Sequence, residues 1–364
     1  MRVNSLRLNN FRNITELDLG NLGITNILIG ANAQGKTNIL EAFYSVASGS
    51  SFRTSQSAYL IKLGEKAAMV FVEGITDGGR EKYIQLYWNE EGRVIKINGV
   101  PASSGDLIKA FPAVIFSPED IDLLRLSSTY RRRFLDLAIG RHDREYAKNL
   151  ADFRRIRSQR NQLLLMIKQQ KALEEELDVW DEKMAQVGAA IVERRMQFVS
   201  ELSGMVKKYY VKFSANGSNA GVDFIPNINS TRKTEYLNIL RGSRGLDIAR
   251  ATTNKGIHRD DLIFTINNQD IRHTASRGEF RSMVLALKFA EGEYLKEKLE
   301  ETPIYLLDDV FSELDESRRQ AMVEEIKKRQ SFITANNQAI PKLFSEPKVF
   351  EIEKGEIKNH VPAT

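Results

Sequence analysis

Gly30-Ala31-Asn32-Ala33-Gln34-Gly35-Lys36-Thr37 is a complete G-x-x-x-x-G-K-[ST] phosphate loop, and no other stretch limits the fold so strongly. Such a loop works only between a buried strand and a helix. The apolar run from Ile24 to Ile29 supplies the strand, and Asn38-Ile39-Leu40-Glu41-Ala42-Phe43-Tyr44 has helical spacing. Gly30 and Gly35 let the backbone curl so that its N–H groups and the helix N-terminus face a phosphate. Lys36 is then expected over the β- and γ-phosphates, with the Thr37 hydroxyl on the Mg²⁺ that bridges them. Gly30, Ala31, Asn32, Ala33, Gln34, Gly35, Lys36, Thr37 and Asn38 are the expected nucleotide-binding run, with ATP and Mg²⁺ as cofactors.

A bound Mg²⁺ needs an acidic partner, and the attacking water needs a positioned acceptor. Ile304-Tyr305-Leu306-Leu307-Asp308-Asp309 is an apolar strand ending in two carboxylates. Asp308 is expected to hold the metal with Thr37, and Asp309 to orient the water, with Lys36 and Asp309 as the catalytic pair. Lys36 and Asp308 stand 272 residues apart. One nucleotide-binding sheet must therefore be interrupted by a large insertion, which predicts an α/β ATPase head split in sequence. Ser276 and Gly278 begin a segment of helical spacing from Ser282 to Leu299, where a helix N-terminus suits an anion. Lys36 already serves the chain's own nucleotide, so this site is expected to face one held by another copy; a plain Ser N-cap explains the residues equally.

The insertion changes character along its length. From Phe52 to Phe116 short β-like segments alternate with Gly- and Asn-rich turns, which predicts a meander. From Ser128 to Phe213 there is no proline and only three glycines, so long helices packed as an antiparallel arm are expected. The arm's first part, Arg131 to Arg160, holds ten Lys/Arg against four Asp/Glu, a larger excess than the +5 of the whole 364-residue chain. A nucleic-acid footprint and a solvated helix face both account for such a run, and Arg154, Arg155 and Arg157 are the DNA-binding candidates. Ala215 to Asn229 is read as a polar linker. Arg12, in the turn Asn10-Phe11-Arg12-Asn13, lies against the nucleotide phosphates or is a surface turn residue. There are no cysteines, which excludes disulfides, thiol nucleophiles and Cys-ligated metals. With no apolar run of membrane-spanning length and no signal peptide at Met1, a soluble cytoplasmic protein is expected.

Assembled, these residues resemble the RecF family of bacterial recombination and repair ATPases, relatives of SMC proteins and ATP-binding-cassette heads. The resemblance spans essentially the whole chain. It is carried by Asn10-Phe11-Arg12-Asn13, the phosphate loop with Thr37 to Ala42, Phe116-Ser117-Pro118-Glu119-Asp120, Arg131-Arg132-Arg133-Phe134-Leu135-Asp136, Gly256 to Leu262, and Leu307-Asp308-Asp309-Val310-Phe311-Ser312-Glu313-Leu314-Asp315. It implies an ATP-binding-cassette-type P-loop head with an inserted helical arm or lid. The implied divisions are 1–120 and 246–364 for the two parts of the head and 121–245 for the arm. It also implies an ATP-dependent homodimer, a slow DNA-dependent ATPase that acts as a switch. Such a dimer binds double-stranded and gapped or junction DNA and works with RecO and RecR to load RecA. Ser276-Arg277-Gly278 match the signature that acts in trans, Ser312 to Asp315 the D-loop, and Phe116 to Asp120 the nucleotide-sensing Q-loop.

Three departures from the family pattern have physical consequences. Ala33 stands where a glycine is usual, which is unstrained only at negative φ. Arg277, Glu279 and Phe280 replace a glutamine-rich signature, and Ile257 replaces a proline before His258-Arg259-Asp260-Asp261. That tetrad fits acid–base chemistry or, more economically, a buried ion-pair network. A transporter ATPase subunit would share the nucleotide motifs but not the basic arm. An ATP-gated nuclease would need a further cluster of metal-binding carboxylates, and the sequence offers no convincing one.

Overall fold

The structure, a computed structural model, describes residues 1–54, 56–214 and 218–361. The chain opens with β1 (Arg2–Phe11), β2 (Ile14–Leu19), β3 (Thr25–Ile29) and α1 (Lys36–Ser48). A meander follows: β4 (Ala67–Ile75), β5 (Glu81–Asn89), β6 (Gly92–Ile97), β7 (Val100–Pro101), then α2 (Ser104–Ala110) and β8 (Ala113–Phe116). Next come the helices α3 (Asp120–Arg125), α4 (Ser128–Gly140), α5 (Arg144–Lys168) and α6 (Leu177–Phe213). The chain continues through β9 (Ala220–Ile225), α7 (Lys233–Gly242), α8 (Arg244–Arg250), β10 (Asp261–Ile266), β11 (Gln269–Asp270) and α9 (Ile271–Thr274). It closes with α10 (Arg277–Leu299), β12 (Ile304–Leu307), α11 (Glu316–Ile326), β13 (Ser331–Ala335), β14 (Lys348–Glu353) and β15 (Glu356–Val361).

Two compact units result: one of Met1–Asp120, Tyr209–Gly217 and Arg281–Thr364, the other of Ile121–Lys208 and Ser218–Phe280. The first holds two six-stranded sheets. One is antiparallel, in the order β2-β1-β4-β5-β6-β7, and β4 buries alternate residues as a one-sided sheet should. The other runs β15-β14-β3-β13-β12-β8, with β14, β3, β13, β12 and β8 parallel and β15 antiparallel at the edge. Every residue of β3, β8, β12 and β13 is buried, as both-sided burial in a parallel sheet requires. Packing explains why α1 is buried almost all round. Phe43 stacks on Phe111 at 6.5 Å between ring centres and meets Phe332 of β13 at 4.1 Å, within one core that also takes Val70 of β4 and Leu86 of β5. Truncating Phe43 to Ala is worth roughly 3–5 kcal/mol by analogy with other large-to-small core changes. β8, which the sequence placed at the end of the meander, pairs instead with β12, Phe116 opposite Leu307.

The second unit packs α4 and α5 with a three-stranded antiparallel sheet, β11-β10-β9. Part of the expected linker is therefore a strand, β9, paired along its whole length to β10; positions 215–217 lie outside the described residues. The same pairing keeps residues 246–280 in this unit, where the sequence had returned the chain to the head at 246. Among the described residues no helix is long and apolar enough to cross a membrane.

Candidate functional site

Strand order fixes the site. β13 lies between β3 and β12, so the carboxyl ends of three parallel strands bring the phosphate loop, Asp308-Asp309 and Thr334-Ala335-Asn336 to one crevice, where open α/β sheets bind ligands. The pocket there measures about 420 Å³, and its lining includes Lys36, Thr37, Arg53, Asp308, Asp309 and Asn336. The hydroxyl of Thr37 donates to Asp308 Oδ1 at 2.9 Å across 271 residues of chain. Thr334 Oγ1 donates to the same oxygen at 2.9 Å and accepts the Asp309 N–H at 2.8 Å. Asp309 itself has φ +50°, a left-handed conformation that aspartate tolerates, which turns its side chain toward Asn336 Nδ2 at 3.4 Å.

Lys36 is buried, and its ammonium donates to Gly30 O at 2.6 Å, Ala31 O at 2.7 Å and Asn336 Oδ1 at 2.9 Å. Burial lowers its pKa, against the opposing charges of Asp309 and Asp308. Burial also pushes the Asp308 carboxyl up, against the hydrogen bonds from Thr37 and Thr334. A cation beside Asp308 would offset that desolvation. Among the described residues no group of three or more His, Asp or Glu could hold a metal alone. A hydroxyl and one carboxylate beside a phosphate cradle instead suit Mg²⁺, which keeps waters and binds chiefly through substrate phosphates.

The loop is braced from the far end of the chain. Gln34 accepts the Lys354 N–H on Oε1 at 2.7 Å and the Gly355 N–H on its carbonyl at 2.8 Å, so the β14–β15 turn sits against the loop. A Cβ at Gly30 would stand 2.3 Å from Ile352 O, which leaves glycine as the one residue that fits. Ala33 has φ +63°, so the alanine at this position is strained, by about 1–2 kcal/mol for a left-handed alanine.

Arg12 is placed otherwise than a phosphate ligand would be. Its guanidinium donates to both oxygens of the buried Glu41, at 2.8 and 2.6 Å, and to Tyr59 O at 2.7 Å, tying the β1–β2 turn to α1. A bidentate carboxylate already satisfies its fork. The arginine that lines the pocket is Arg53, whose Nη1 donates to Asn38 Oδ1 at 2.8 Å, while Asn38 donates to Asn13 at 2.7 Å. Sequence reasoning did not name Arg53, Asn13, Thr334 or Asn336 as site residues, although Asn13 stands in the motif Asn10 to Asn13 and Thr334-Ala335-Asn336 follow the strand after which transporter heads carry a histidine.

Ser276 and Gly278 lie at the N-terminus of α10, in the second unit. Ser276 Oγ accepts the Glu279 N–H at 3.3 Å, and Glu279 accepts the Ser276 N–H at 2.8 Å, a capping box. The Glu279 carboxylate thus supplies an anion to this helix end from within the chain. Arg154, Arg155 and Arg157 all lie on α5. Arg154 pairs with Asp136 at 3.3 Å and Arg155 with Asp152 at 3.1 Å, whereas among the described residues Arg157 has no ion pair. Two other cations of the basic run are structural. Arg131 is paired with Asp261 at 2.7 Å, and the fully buried Arg160 with Asp181 and Asp247, each at 2.7 Å. Of the tetrad, Asp260 pairs with the buried Arg195 and Asp261 with Arg131, each at 2.7 Å, whereas among the described residues His258 and Arg259 join no ion pair.

The model of the RecF/RecN/SMC N-terminal domain matches residues 2–356. A DNA replication and repair protein RecF of Ruminiclostridium cellulolyticum is 38% identical over 346 residues, 93% of each chain. That of Acetivibrio thermocellus is 34% identical over 348 residues, 93% of this chain and 94% of the relative. A solved recombination mediator protein RecF with ATP, described as part of the RecFOR pathway, superposes with a TM-score of 0.89 at 32% identity, over 98% of this chain and 97% of that one. An Smc head from Pyrococcus furiosus shares the fold at 17% identity and a TM-score of 0.57.

Proposed function

Because this chain belongs to the RecF family of the RecF/RecN/SMC ATPases, we propose that it is an ATP-switched DNA-binding protein of replication and recombinational repair. ATP clamps two copies into a dimer on gapped or junction DNA, which then works with RecO and RecR to load RecA. The observation that carries the nucleotide half is the Thr37–Asp308 hydrogen bond at 2.9 Å, which joins the two halves of a split motif beside the Lys36 ammonium.

Chemically, Lys36 exchanges the carbonyls of Gly30 and Ala31 for phosphate oxygens and neutralises charge there. Thr37 and Asp308 would hold Mg²⁺, which would supply Lewis-acid polarisation of the phosphates. Asp309, kept in its left-handed turn by Thr334, orients the attacking water and accepts a hydrogen bond from it. Arg53 adds positive charge at the pocket wall. Ser276 and Gly278 face the nucleotide of the second copy once Glu279 yields its place at the helix end, a step that makes the clamp depend on the γ-phosphate.

The test pairs two variants. Lys36→Ala is expected to abolish ATP binding while leaving thermal unfolding unchanged. Asp309→Asn keeps ATP binding, lowers turnover by on the order of 10² or more, and lengthens the life of the ATP dimer measured by sedimentation with and without gapped DNA. Unchanged nucleotide affinity in Lys36→Ala would overturn the proposal.

A further inference from the structure

On the helical unit, one stripe of α5 carries Arg154, Arg157 and Ser158, then Asn161 and Gln162, then Leu165. With Ala251 after α8, these residues line an open cleft of about 400 Å³. Their spacing is that of a single helix face, and Arg155 lies off it. The cleft grades from cationic through amide to apolar along its length.

Three features show that the chain does not satisfy its own cleft. Arg157 is half-buried, and its pKa is lowered by burial first and then by the like charges of Arg154 and Arg259; among the described residues neither Arg157 nor Arg259 has a carboxylate partner. The neighbouring His258 registers the same field. It faces Arg157, Arg259 and Arg132, its pKa falls to about 4 through burial and those charges, and its Nδ1 is buried with no partner while Nε2 meets Thr253 O at 3.0 Å. Asn161 is fixed by the Thr253 N–H and hydroxyl, both donating to its Oδ1 at 2.9 and 2.7 Å. Its Nδ2, like the side chain of Gln162, has no acceptor among the described residues. Leu165 closes the stripe half-exposed, an apolar side chain beside donors that lack acceptors.

We infer that this cleft takes one unpaired nucleotide of a DNA strand, with its phosphate against Arg157 and Arg154, its base edge on Asn161 and Gln162, and its base face on Leu165. The inference rests on the DNA-binding reading above and narrows it. A surface meant only for duplex backbone needs outward cations and nothing else, since phosphate contacts carry no information about the base. Two amides followed by an apolar side chain on one stripe match a ring system with hydrogen-bonding edges, and a base reaches them only when it is out of the duplex stack. The cleft therefore gives the protein a means of preferring a gap to intact duplex. An acidic peptide would answer Arg157 but not the amide and leucine positions.

The experiment uses the full chain with ATP and measures fluorescence anisotropy on three duplexes: intact, gapped with thymidines in the gap strand, and gapped with abasic units at the same places. Wild type is expected to bind the thymidine gap more tightly than the abasic gap. Leu165→Ser and Gln162→Glu should erase that preference, and Arg157→Gln should weaken binding to both gapped DNAs by about tenfold, the scale of one lost charge-assisted hydrogen bond. Thermal unfolding of each variant checks the fold. Equal wild-type binding to thymidine and abasic gaps overturns the inference, as does an equal loss on all three DNAs in the Leu165 and Gln162 variants. So does competition by polyglutamate as effective as that by oligothymidylate, which would give the cleft to an acidic partner. Absence of wild-type binding to any of the three would instead overturn the DNA-binding reading itself.

Discussion

Lys36 meets three oxygens of its own chain, so ATP binding at this loop is an exchange of partners, and Asn336 is the one partner that also reaches Asp309. Asn336→Ala should leave ATP affinity within about threefold but lower turnover by on the order of 10², as loss of one positioned polar group does. Steady-state hydrolysis beside a nucleotide titration separates the two effects, and intact turnover would remove Asn336 from the site. The sequence marks Thr334-Ala335-Asn336 as the segment after a strand but not the contact of Asn336 with Lys36, which depends on β13 lying between β3 and β12, a non-local fact. For Ala33 the sequence stated the condition for strain but not the sign of φ. Arg12 was left open between two roles, and in the fold its guanidinium is taken up by Glu41, a carboxylate four residues past Thr37. His258 gives a pH signature. Its folded pKa of about 4 lies below the ordinary 6.5, so below 6.5 the unfolded chain takes up a proton that the folded chain refuses. Wild type should therefore lose stability as pH falls from 6.5 toward 4, by up to roughly 3 kcal/mol more than His258→Gln. Urea midpoints at several pH values test it; identical pH dependence in the two proteins would mean the imidazole is not buried neutral.

The β14–β15 turn is the element least expected to matter, since short strands near the end of a chain give little pattern to read. It nonetheless braces the phosphate loop through Gln34. Gly355 has φ +84°, and a Cβ there would come within 3.3 Å of Asn13 O and 3.2 Å of Ile14. Gly64 has φ +89° with nothing within 4 Å. Both glycines carry the same conformational demand, but only one presses on the site. Gly64→Ala should cost about 1 kcal/mol of stability and leave ATP affinity alone. Gly355→Ala should cost more and weaken ATP binding several-fold; equal nucleotide affinities in the two variants would show that the turn is only packing. The long helices were legible because an uninterrupted periodic stretch without proline permits little else, and the structure resolves it into α4, α5 and α6. β9 and β10 were not, since six-residue strands flanked by Asn and Gly declare themselves only through each other. Their pairing is also what carries the second unit on to Phe280.

For the whole molecule, the phosphate loop and the strand ending in Asp308 were readable as one split site because the chemistry of Mg²⁺ and phosphate requires both. The proposed DNA face was less readable, since a run of like charge does not say which cations are already answered. Arg131 and Arg160 are buried against carboxylates and belong to the unit's core. Arg154 and Arg155 are exposed but each must leave an aspartate to reach a phosphate, and surface pairs of this kind are worth at most about 1 kcal/mol. That cost is small beside the gain from counterion release, so both remain available, and Arg157 needs no exchange at all. Each phosphate neutralised contributes about −0.9 to the slope of log affinity against log salt on duplex DNA. Reversing Arg154, Arg155 and Arg157 together to Glu should flatten that slope by about two to three units and weaken gapped-DNA binding most at low salt, with little dependence on sequence. Because Arg154 and Arg155 are exposed and the half-buried Arg157 has no ion pair to lose among the described residues, the triple variant should keep its fold, which thermal unfolding checks. If it retains both the affinity and the slope of wild type, α5 is a solvated face and any DNA is held by other surfaces.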